Sequence, residues 1–111
     1  MEVNVYCHLS APALEGRNAQ AYLAEFLSDI SGTLQSVGHA FSIVWEYSGL
    51  APEPNTLRHE FVDGDTLLLP FSFQYFCLRQ AYLRIELLQS LMNNLAYGMG
   101  IEVGFEYHLD G

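Results

Sequence analysis

The residues in this chain best equipped for chemistry are four histidines (His8, His39, His59 and His108), two cysteines (Cys7 and Cys77) and thirteen carboxylates set against only four basic residues. Their spacing excludes more than it offers. The histidines are read as scattered over the four principal strands, with His8 and His108 toward opposite ends of the sheet. Two imidazoles without a third ligand make a weak zinc site, so no metal is expected. Cys7 and His8 are neighbours, but a strand turns consecutive side chains to opposite faces, which removes a thiol–imidazole pair. Both cysteines are read as buried thiols, with room for a contact beneath the second helix, since neither has metal-ligand spacing or the density of a disulfide scaffold. Gly16-Arg17-Asn18 could offer backbone amides and a guanidinium to an anion at a helix start. Glu15 opposes that, and the plainer reading is a helix cap with a solvated arginine. No catalytic residue and no cofactor is expected.

Charge narrows the field further. All four basic residues are arginines, lysine is absent, and the formal net charge is −9. Such a field repels phosphate backbones and anionic lipid, so neither direct nucleic-acid binding nor membrane binding is expected. The missing lysine excludes Schiff-base enzymes and lysine general bases. Cations and basic proteins are what the surface attracts, although charge also serves plain solubility. The N-terminus lacks the basic and apolar regions of a secretory signal, and no apolar run approaches a membrane span, so a cytoplasmic address is expected.

Positioning these side chains falls to a small number of elements. A chain of 111 residues, half of them hydrophobic, suits one domain over 1–111. Val3, Val5, Cys7 and Leu9 alternate with polar residues, the period of a half-buried strand. From Asn18, taken as N-cap, Tyr22, Leu23, Phe26, Leu27, Ile30, Leu34 and Val37 recur at three and four, a helix that Gly38 should end. A second strand is expected over 41–48, then a proline-bearing loop. A third is expected over 57–62, and Asp63-Gly64 signals a hairpin turn, with an extra short strand at 66–69. A deeply buried helix is expected from about Phe73 to Tyr97, then a last strand with Ile101, Val103, Phe105, Tyr107 and Leu109 inward. The aromatic group Phe71, Phe73, Tyr75 and Phe76 reads as core.

The order β-α-β-β-α-β predicts an α+β, ferredoxin-like two-layer sandwich: an antiparallel sheet with two helices on one face and the other face open. Alternation then assigns Glu2, Tyr6, His8, Glu46, Arg58, Glu60, Glu102, Glu106 and His108 to the open face, with Val44 or Val62 adding apolar surface. Tyr6, His8, Glu46, Glu60, Glu102 and Glu106 are the expected partner-binding residues. The expected function is a small acidic inhibitor that neutralises a basic protein, such as a nucleic-acid-binding enzyme or toxin, in the manner of immunity proteins, antitoxins or phage-encoded inhibitors. Two other readings compete: a ligand-binding domain or enzyme with a cleft between sheet and helices, and a homo-oligomer or homodimer paired through edge strands.

Overall fold

A computed structural model of the chain describes residues 1–46, 61, 62 and 64–110. The first strand, β1 (Glu2–Ser10), buries Val3, Val5, Cys7 and Leu9 almost completely while the residues between them stay half-buried. Helix α1 (Gly16–Phe41) follows, then the two-residue strands β2 (Val44–Trp45) and β3 (Phe61–Val62), the long strand β4 (Thr66–Gln74), helix α2 (Leu78–Ala96) and strand β5 (Glu102–Asp110). Every pairing is antiparallel and the sheet order is β2-β4-β1-β5, with β3 also on β4. Because β2 meets Phe71 and Ser72 while β3 meets Thr66 and Leu67, the two short pieces lie along one edge of β4. Together they take the place of the second strand in a ferredoxin-like βαββαβ sandwich.

The largest difference from the sequence reading is β4. The short strand expected at 66–69 is a nine-residue central strand, and the stretch from Phe73 to Cys77 is not helical. Pro70 stands within this strand although proline cannot donate to a ladder. Its carbonyl accepts from the Glu46 amide, 3.2 Å away. A strand residue points its N–H and C=O to the same side, so the missing donor faces the edge where β2 ends and not β1. The expected third strand over 57–62 lies outside the described residues except for Phe61 and Val62. The hairpin does form, pairing Val62 with Thr66 around Gly64, which takes φ +83°.

Both helices also have ends other than those expected. Asn18 is not the N-cap of α1; Glu15 holds that position without a side-chain cap bond. The cap comes from the hairpin instead: Asp65 accepts from the Gly16 amide at 2.8 Å, and Gln20 donates to the Gly64 carbonyl at 2.6 Å. Gly38 does not end α1. The helix runs on to Phe41 and stops at Ser42, which adopts a left-handed conformation while its amide donates to the Gly38 carbonyl. Gly38 is instead needed for packing, because a Cβ there would lie 2.8 Å from Trp45 Nε1, which donates to the Leu34 carbonyl. Of the strand expected at 41–48, Phe41 belongs to α1 and Val44–Trp45 are the strand residues among those described, 47 and 48 lying outside them; His39 sits in the last turn of α1, not on a strand.

Helix α2 buries Ala81, Ile85, Leu88 and Met92 but leaves Leu78, Tyr82, Leu83 and Leu87 exposed, so it is not deeply buried all round. Phe71, Phe73 and Tyr75 are core as expected, while Phe76 is 88 % exposed. Arg84 ties the helices together: it donates to the Phe41 carbonyl at the end of α1 and lies over the rings of Phe41 and Phe73.

Two substitutions test this account. Gly38→Ala should lower stability by about 1–3 kcal/mol through overpacking against Trp45, although alanine is the better helix former; chemical denaturation followed by Trp45 fluorescence would show a gain if packing were not decisive. Asp65→Ala should cost about 1 kcal/mol, the usual worth of a lost helix cap. Asp65→Asn, which keeps an acceptor, should recover most of it in the same assay.

Candidate functional site

The open face is assembled from alternate residues of four strands. On β1 these are Glu2, Asn4, Tyr6, His8 and Ser10, and the pairing with β5 sets Tyr6 opposite Glu106, Asn4 opposite His108, His8 opposite Gly104 and Ser10 opposite Glu102. Tyr6 is also opposite Pro70, whose carbonyl bonds Glu46. Glu46, Pro70, Tyr6 and Glu106 therefore form one row across the sheet, about 14 Å from end to end at the usual strand spacing. Val44, opposite Ser72, and Val62, opposite Thr66, add exposed apolar surface to this face.

Glu106 is the centre of a small polar cluster. One of its carboxylate oxygens lies 3.7 Å from His8 Nε2 and the other 3.9 Å from His108 Nε2. The Tyr6 ring meets the His108 ring edge-on at 6.0 Å. His8 and His108 thus flank a shared carboxylate from either side: they lie toward opposite ends of the sheet, as expected, and both reach back to Glu106. The flanking pattern suits an ion pair with solvent-exposed partners, not a coordination shell: among the described residues no three His, Cys, Asp or Glu side chains are grouped to hold a metal. Toward the end of the sheet, Asn4 donates to Asp110 at 3.4 Å and Gln74 to Glu2 at 3.2 Å.

Of the residues singled out from the sequence, Tyr6, His8, Glu46, Glu102 and Glu106 share this surface; Glu60, Arg58 and His59 lie outside the described residues. Asp110 was missed. It is two residues beyond His108 on the same strand, so extending the alternation past Leu109 would have found it. The three described arginines, Arg17, Arg79 and Arg84, are all on helices.

Comparison with protein-family models, with curated proteins and with solved structures gives no match. The chemistry of this site has to be argued from its own side chains. Three open grooves can be described among these residues, the last of them reaching Glu102 of the open face. One of about 380 Å³ is lined by Phe41, Cys77, Leu83 and Leu87 together with Arg79, Gln80 and Arg84. A second, of about 420 Å³, runs beside Trp45 and His39, and a third, of about 550 Å³, is bounded by Pro12, Tyr97 and Glu102. None of the three sets a nucleophile beside a base. The Gly16 amide is already taken by the Asp65 carboxylate, so the start of α1 has filled the anion position that Gly16-Arg17-Asn18 suggested.

The cysteines separate sharply. Cys7 is fully buried in the middle of β1, and desolvation pushes its thiol up to about 12 from 9.0. Cys77 is exposed at the start of α2, so the expectation of two buried thiols is corrected; both are free. Deep burial keeps Cys7 protonated and unreactive, whereas Cys77 meets solvent. At pH 8 a thiol-specific chromogenic reagent should label one cysteine in the folded protein and two in denaturant, and Cys77→Ser should abolish the folded signal. Because the folded pKa of Cys7 is the raised one, its contribution is intact below pH 9 and is lost as pH climbs from 9 toward 12, so denaturation midpoints should fall over that interval. Folded-state labelling of Cys7 would overturn the assignment.

Proposed function

We propose that this chain is a small acidic protein-binding domain whose open sheet face covers a basic surface of another protein and so neutralises it. The observation that supports this reading is the division of charge. Glu2, Glu46, Glu102, Glu106 and Asp110 stand on one exposed sheet face without an arginine among the described residues there, while the described arginines belong to the helices. A flat antiparallel surface of this kind presents many carboxylates at fixed spacing and offers no enclosed volume in which a small substrate would be desolvated. Tyr6, Val44 and Val62 give the face the apolar area that charges alone lack, and Tyr6 is the residue type that most often anchors such contacts. The natural target is a protein that binds anions on a basic groove, a nuclease or other nucleic-acid-binding protein, with the carboxylates occupying the places of phosphates.

The test is a comparison of wild type with a Glu102→Gln, Glu106→Gln double variant as bait in the source-cell lysate. Wild type should retain a basic protein at near one-to-one ratio and release it as salt rises past the range where the screening length falls below about 10 Å. The double variant should bind that protein about tenfold more weakly, a loss of about 1.4 kcal/mol, with an unchanged melting temperature. Equal retention by both proteins would remove the sheet face from the function.

A further inference from the structure

Strand β5 ends the sheet. It pairs with β1 without a break from Glu2 opposite Asp110 to Ser10 opposite Glu102, and it pairs with no other strand among the described residues. Every second residue along it therefore turns its N–H and C=O outward. Proteins usually disarm such an edge with proline, a bulge, a short strand or charged side chains, lysine above all. Among the described residues the other edge of this sheet carries only the two-residue strands β2 and β3. On β5 there are nine regular residues, Glu102–Asp110, without proline, bulge or lysine.

The side chains on β5 say what this edge excludes and what it accepts. Glu102, Glu106 and Asp110 project on the open face, with Gly104 between the first two. On the other face Tyr107 is 39 % exposed and meets Tyr82 of α2 edge-on at 6.3 Å, forming an apolar shelf beside the edge. A second copy of the chain would continue the sheet with its own three carboxylates on the same face and its own charge of −9. Like charges brought side by side oppose that pairing. We infer that β5 is a docking edge for an extended segment of a basic protein, added as a sixth strand. Its lysines or arginines alternate over Glu102, Glu106 and Asp110, and its intervening apolar residues rest on Tyr107 and Tyr82. Backbone bonds supply affinity that does not depend on sequence, and the alternation selects the segment. This rests on the acidic-face reading above and adds the form in which the partner is recognised.

The experiment uses the full chain and synthetic nine-residue peptides. One alternates lysine and valine; a second has the same composition with its lysines in one block. Two more carry N-methyl groups on one or the other alternate set of the first peptide's residues. The alternating peptide should bind about tenfold more tightly than the block isomer, slow amide exchange at every second residue of β5, and lose binding when one alternate set is methylated but not the other. Equal binding of the alternating and block peptides, abolished by Glu102→Gln with Glu106→Gln, would overturn strand addition while leaving the acidic-face reading standing. Failure of both peptides to bind would overturn both. Concentration-dependent dimerisation of the chain alone, with protection of the β5 amides, would overturn the choice of partner.

Discussion

The structure depends on the double pairing of β1. This strand is bonded along its length to β4 on one side and β5 on the other, and Val3, Val5, Cys7 and Leu9 are removed from solvent almost completely. A slip of one residue against either neighbour would turn those four side chains to water and bring Tyr6 and His8 into the core, so the register is held from both sides at once. At about 1.5–3 kcal/mol for each fully buried large apolar side chain, no rearrangement of surface charge competes with that penalty. The open face inherits its order from this constraint. Glu106 lies beside Tyr6 and between the two histidines because the core residues of the same strands have nowhere else to go.

The helical layer is held to the sheet by contacts that cross from one element to another. Asp65, in the turn before β4, caps α1; Trp45, on β2, closes against Gly38 within α1; Arg84, on α2, bonds the last carbonyl of α1 and spreads over Phe41 and Phe73. Each satisfies a helix end or fills the seam between layers, the two places where a two-layer sandwich is otherwise open to water. Helix α1 is long for its sheet. Its 26 residues span about 39 Å, close to the 41 Å long axis of the molecule, whereas the longest strands have nine residues. Its last residue, Phe41, lines the groove beside Leu83 and Leu87.

Charge is distributed by layer. The arginines of the described residues are spent within or beside the helices, Arg84 on structural contacts, so the sheet face keeps carboxylates with only histidines among them as basic groups. Like charges gathered on one face repel and lower stability slightly, and among the described residues no arginine stands with them. The two edges differ in the same sense. Among the described residues the β4 edge carries two short strands and tolerates Pro70, while the β5 edge is long, regular and acidic.

Sequence alone determined the layer order, the inner faces of β1 and β5, and the parity that puts Tyr6, His8, Glu46, Glu102 and Glu106 on a common surface, because alternation of period two and recurrence of period 3.6 are local properties of the chain. Of β4 it showed only a short strand at 66–69, not its length or central place. An apolar run containing proline carries no signature of a central strand, and only the neighbours Tyr6 and Glu46 show that the missing N–H points to the side where it costs least. The roles of Gly38 and Asp65 were equally hidden, since each is set by a residue on another element: Trp45 seven positions on, and the Gly16 amide 49 positions back. The two histidines meet around Glu106 for the same reason. Their shared carboxylate follows from the pairing register between the first strand and the last, which is fixed by burial of the opposite face and cannot be read from spacing along the chain.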